Sequence, residues 1–145
     1  MALRLLPDVN VWVALLDEAH THNPKARALM QRANVKIATC PLIENGVLRV
    51  LNLPGYSAFG APGFDAVRAK LDSICHALDH EFWPDTISLC TAGVADWSRV
   101  MGHGQITDVY LLALATAHNG CLVTLDHGVT LSTVPGAAAK NLVLI

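Results

Sequence analysis

At 145 residues, 52% of them hydrophobic and 15% charged, the chain has the length of one domain and ample material for its core, so residues 1–145 are read as a single domain. A net charge of −2 and a pI near 6.3 argue against a general electrostatic grip on nucleic acid or membrane, which would show as a basic excess.

Residues 3–7 read as a first strand, and Val9–Leu16 continues as a short helix apolar almost all round, hence central. After a polar break over 17–23, Pro24 opens a second helix to about Gln31, and 35–39 is a short strand that runs into Pro41. The next helix carries Glu44, with Ile43, Val47, Val50 and Leu51 forming one core-facing stripe. Residues 54–63, with three Gly and two Pro, form the one long loop, a rim or lid. An amphipathic helix over 64–78, a short extended piece over 81–83, and a mixed stretch over 86–100 with a strand-like start and a short helix follow. A helix over 107–118, a strand over 121–125 and a last strand over 141–145 end the chain. Strands alternating with helices predict an α/β fold with a largely parallel sheet covered on both faces.

Residues 109–125 contain no Asp, Glu, Lys or Arg, but His118-Asn119-Gly120 interrupts them as a helix stop, so a buried helix and a buried strand are expected rather than a membrane span. The N-terminal run meets Pro7 and Asp8 before any long apolar region develops, and shows no secretory signal. Cys40, Cys75, Cys90 and Cys121 stand far apart with no CxxC pair and read as small core residues of a reducing compartment, so a cytoplasmic location is expected.

Asp8, Glu44, Asp108 and Asp126 each stand where a strand-like run ends or a helix begins. In an open parallel sheet these positions share one edge, where ligand sites form. Carboxylates brought together repel one another and are driven toward protonation unless divalent cations hold them ionised. An all-oxygen donor set without Cys or His points to Mg²⁺ or Mn²⁺, and so to phosphoryl transfer, in which two ions can activate a water and stabilise the leaving oxygen. Thr107 reads as the N-cap of the Asp108 helix, which favours an ionised Asp108 at neutral pH, and Asn10 and Thr124 read as supports that orient the ligands. Removing those four negative charges from a net −2 leaves the remainder at +2, so the ten Lys and Arg can still meet phosphates.

The runs Leu5–Val11, Thr39–Leu51, Gly104–Ala115 and Leu122–Gly128, in this order and spacing, resemble the four acid motifs of PIN-domain ribonucleases, and most closely those of the VapC toxins of bacterial type II toxin–antitoxin pairs. The resemblance spans nearly the whole chain. It implies a PIN-like α/β/α sandwich with a central, mainly parallel sheet, and Mg²⁺- or Mn²⁺-dependent endoribonuclease activity. It carries Asp8, Glu44, Asp108 and Asp126 over as metal-binding and catalytic acids, with Asn10 and Thr107 in support. It further implies a homodimer and a cognate VapB-like antitoxin whose tail lies over the active-site groove.

Other readings are weighed beside this one. A phosphatase would want a second Asp where Asn10 stands, and a phospho-receiver a lysine at a strand end, which none of the four lysines supplies. A catalytically inactive RNA- or protein-binding module stays open, although all four acids are retained. His76 and His80, with Asp72, share a helix face at i, i+4, but a zinc site there lacks a fourth ligand and a plain helix face is preferred. His20 and His22 read as turn residues. His103 is weighed as an RNA contact, Arg49 receives no role, Trp12, Trp83 and Trp97 read as core or dimer contacts, and Asp85 and Asp96 are set aside as outer charges.

Overall fold

The short apolar runs become strands and the longer stripes helices in the computed structural model, which describes residues 2–145. In chain order these are β1 (Leu5–Pro7), α1 (Val9–Leu16), α2 (Asn23–Met30), β2 (Lys36–Thr39), α3 (Pro41–Val50), α4 (Phe64–Ala77), β3 (Asp79–Phe82), α5 (Ile106–Ala117), β4 (Cys121–Thr124) and β5 (Leu142–Leu144), with single 3₁₀ turns before α5 and around β4 and β5. The strands form one sheet in the order β3-β2-β1-β4-β5, and every pairing is parallel. All four residues of β4 are buried, as the sequence of a central parallel strand requires. Helix α1 packs on α2, α3 and α4, whereas α5 packs on β1 and β4, which gives the α/β/α layering. The core runs from Leu6, Val11 and Trp12 through Ile37, Ile43 and Val47 to Leu111, Leu114 and Leu122, all fully buried.

Helix α5 ends where the His118-Asn119-Gly120 signal places it, but the residues divide the work differently from a glycine cap. Asn119 takes the left-handed conformation at φ 52°, while the Gly120 N–H donates to the Ala115 carbonyl at 2.7 Å in a Schellman-like closure. Glycine is needed at 120 for space: a Cβ there would lie 2.7 Å from the Trp83 ring and 2.8 Å from the Arg4 carbonyl oxygen. Among the described residues no helix is long and apolar enough to cross a membrane.

Three expectations are corrected. Residues 86–100 contain no strand, because local bonds take the backbone: the Ser88 hydroxyl accepts from the Cys90 N–H, the Ser88 carbonyl accepts from Thr91, and Gly93 turns at φ 87°. The second helix starts one residue early, at Asn23, whose buried amide donates to the Ala14 and Leu15 carbonyls and so fastens α2 to the end of α1. His80 lies in β3 rather than on the α4 face with His76. Its Nε2 stands 2.7 Å from the Thr39 hydroxyl, while His76 pairs with Asp72, so the two histidines share no helix face although both line one groove. Of the three tryptophans, Trp12 and Trp83 are core residues and Trp97 is 46% exposed.

Candidate active site

From β1 the chain winds outward through β2 and β3, then returns to the opposite side of β1 as β4. The carboxyl ends of β1 and β4 therefore flank a topological switch point, where a crevice opens for ligand. Asp8 directly follows β1 and caps α1, its Oδ1 accepting from the Val11 N–H at 2.9 Å. The Thr124 hydroxyl donates to Asp8 Oδ2 at 2.6 Å and accepts from the Asp126 N–H at 2.9 Å. One β4 side chain thus fixes the aspartates that end two neighbouring strands. Asp126 Oδ1 in turn accepts from the Gly128 N–H at 2.7 Å, which orients its carboxylate in the turn after β4.

Asp8 is only 4% exposed, and burial holds its carboxyl above the usual range against the opposing hydrogen bonds from Thr124, Val11 and Asn10. Asp108, in the first turn of α5, is pushed up to about 6 by burial and then by the charges of Asp8 and Asp126. These three acids therefore share one field. Burial and two like charges outweigh the favourable helix end, so Asp108 gives up its proton less readily than the helix end alone would allow, though it is still mostly ionised at neutral pH. A cavity of about 290 Å³ opens over Asp108 and Asp126, walled by Gly104, Gln105 and Thr130.

Glu44 comes from another helix and lines a different cavity from Asp108 and Asp126. It sits half-buried in the first turn of α3, beside a groove of about 740 Å³ walled also by Arg68, Asp72 and His76. Its carboxyl is raised by burial and then by the charge of Asp85, not by Asp8, Asp108 or Asp126. Asp85, an outer charge by sequence, is its acidic neighbour in the structure. The signal was present in Trp83-Pro84-Asp85, an acid just past a strand end like Asp8 and Asp126, but the strand before it is brief and polar.

Two of the supporting residues act differently from expectation. Asn10 is exposed, and it serves Asp8 through its backbone N–H rather than its amide. Thr107 is not an N-cap: α5 begins at Ile106, capped by Gln105, because a 3₁₀ turn over His103–Gln105 runs straight into the helix. The Gln105 side-chain amide oxygen, Oε1, accepts from the Met101 and Gly102 N–H groups at 2.6 and 3.1 Å, which starts that turn early and leaves Thr107 exposed one position inside the helix. His103 and Arg49 are exposed, and Arg49 makes no ion pair among the described residues. Asp96 caps the 3₁₀ turn Trp97–Arg99, its side chain accepting from the Ser98 N–H.

The donor chemistry fits a divalent cation. Asp8, Asp108 and Asp126 supply only oxygen, repel one another, and take part in no ion pair among the described residues. Their carboxylates share a field without converging to ligand spacing, since among the described residues no three His, Cys, Asp or Glu side chains are grouped to hold an ion as they stand.

A family model described as PIN domain matches residues 5–134, from β1 through the turn after Asp126 and across all four acids. The ribonuclease VapC44 of Mycobacterium tuberculosis is 40% identical over 144 residues, spanning 97% of this chain and 98% of the relative. Ribonuclease VapC29 of the same organism is 36% identical over 126 residues, spanning 87% of this chain and 88% of its own. Ribonuclease VapC39 is 33% identical over 132 residues, spanning 90% and 94%. The chain is a PIN domain of the VapC family. Within this PIN domain the acids at β1, α5 and β4 form one group, and the α3 acid, Glu44, stands with Asp85 beside it.

Proposed function

We propose that this PIN domain is an endoribonuclease toxin that hydrolyses RNA phosphodiester bonds at Asp8, Asp108 and Asp126, with Glu44 on the flank of the same edge and Mg²⁺ or Mn²⁺ as cofactor. The observation that carries the reading is the group of three carboxylates at the switch point, sharing one field with no cationic side chain paired to them among the described residues. Relatives named ribonucleases, similar along nearly the whole chain, support RNA as substrate. A divalent cation held by these acids supplies charge neutralisation for the phosphate and activation of a water.

The protein's own residues do the positioning. Thr124 holds the Asp8 carboxylate in one orientation and ties it to the backbone of Asp126. Burial of Asp8 keeps bulk water from screening the field that the three acids present. Like the VapC proteins it resembles, the chain would act as a homodimer in the cytoplasm and be restrained by a VapB-like antitoxin.

The test is cleavage of defined RNAs by the purified protein with Mg²⁺, Mn²⁺ or chelator, the cut sites being mapped. Cleavage is expected with either ion, none in chelator, and none from Asp8→Ala or Asp108→Ala. Cutting that persists in chelator, or in both variants, overturns the proposal.

A further inference from the structure

The segment leaving β3 delivers Asp85 to the same end of the sheet as Asp8 and Asp126, and its backbone is held firmly. The Trp83 N–H donates to the Thr39 carbonyl at 2.7 Å, the indole N–H donates to Glu81 at 3.0 Å, and the buried ring stacks on His118 at a centroid distance of 4.2 Å. Pro84 then restricts φ immediately before Asp85. Asp85 lines a cavity of about 320 Å³ between the helix that carries Glu44 and the helix that carries Asp108, with Leu42 and Ile106 on those helices and Ile87 and Leu89 on the connecting segment as its apolar walls. Thr107 and Tyr110 complete it.

Tyr110 gives the second observation. Its side chain is 8% exposed, and its hydroxyl, at the wall of this cavity, faces the Asp85 carboxylate but makes no hydrogen bond of good geometry among the described residues. A buried hydroxyl without a partner carries a desolvation penalty that a ligand group can relieve. The negative charge of Asp85 lies close enough to be felt by both Tyr110 and Glu44.

We infer that this cavity receives a nucleobase of the RNA beside the bond that is cut, and that Asp85 selects guanine. The inference rests on the ribonuclease reading above for its substrate. Apolar walls suit the faces of an unstacked base, and single-stranded RNA is read on exposed base edges. A carboxylate only accepts hydrogen bonds. Guanine alone presents two adjacent donors, N1–H and the 2-amino group, to its two oxygens. Adenine and cytosine place a ring-nitrogen acceptor beside their amino donor, and uracil flanks its single N–H with carbonyls, so each sets a lone pair against Asp85. The negative charge of Asp85 in the cavity, with that of Glu44 near it, disfavours a phosphate there and favours a base as its occupant. The exposed Thr107 hydroxyl can donate to the base's own acceptors, as can the Tyr110 hydroxyl once guanine occupies the Asp85 oxygens.

The test uses short fluorescent RNAs of uridine background with one varied position, and it has a binding arm and a cleavage arm. In chelator, anisotropy should show the guanine-containing RNA binding about tenfold or more tighter than the other three. Asp85→Asn should remove that preference, and Tyr110→Phe should weaken it. With Mn²⁺, cut sites should carry guanine at one fixed distance from the broken bond, a bias that Asp85→Asn flattens. Equal affinity for all four bases, no binding at all, or a guanine preference untouched by Asp85→Asn overturns the inference. Cleavage without base preference overturns it too while leaving the ribonuclease reading intact. Guanine-selective binding with no cleavage under either ion does the reverse.

Discussion

The Thr124 hydroxyl stands between the aspartates that end β1 and β4, donating to one carboxylate and accepting from the other's backbone amide. Thr124→Val keeps the shape and removes both bonds, so it should lower RNA cleavage about 10- to 100-fold, as loss of a ligand-orienting group does. Single-turnover rates with Mn²⁺ would check this, and an unchanged rate would remove Thr124 from the positioning machinery. Asp108 makes a prediction of the opposite sign for stability. Its folded-state pKa is raised from 3.8 to about 6, so between those values the native protein binds more protons than the unfolded chain and stability falls as pH rises. Above about pH 6 the full penalty persists. Asp108→Asn should therefore be more stable than the parent at pH 7.5 in chelator, by on the order of 2 kcal/mol, and the gain should vanish below about pH 4. Urea unfolding at both pH values measures it; a less stable variant at pH 7.5 would contradict the shared field.

At the scale of elements, the approach of α1 to α3 sets where Asp8 and Glu44 start. Gly46 faces Val9 so closely that a Cβ would lie 2.5 Å from a Val9 methyl carbon. Gly46→Ala should destabilise the protein by about 1–3 kcal/mol through overpacking, despite alanine's better helix propensity. Adding Val9→Ala should recover part of that loss, which a double-mutant cycle of unfolding free energies would reveal as coupling. Additive losses would mean that the helices do not meet through this pair. The same close contact explains a glycine that the helix pattern of residues 43–51 could not. Asp85 shows the converse limit: the extended reading of 81–83 marked the right element, but only the paired register of β2 and β3 takes β3 to the edge shared with Asp8 and Asp126.

For the whole molecule, the proposed cation site would couple metal binding to folding. A cation bound only by the native protein stabilises it by RT ln(1 + [L]/Kd), about 2.7 kcal/mol at a hundredfold excess over Kd. Adding Mn²⁺ should thus raise the melting temperature progressively, and Asp8→Asn or Asp108→Asn should abolish most of the rise. An equal shift in the wild type and both variants would place the bound ion elsewhere. The parallel α/β order, the buried character of α5 and β4, the stop at 118–120 and the placement of Asp8 and Asp126 at strand ends were all legible in the sequence. Each depends on local periodicity, on capping, or on one residue adjoining an apolar run. Only the tertiary structure decided that Thr124 bridges Asp8 and Asp126, that Glu44 answers to Asp85 rather than to the other three acids, and that Thr107 lies inside its helix. Those outcomes turn on strand order, side-chain burial and the electrostatics between residues up to 116 positions apart, which no local pattern encodes.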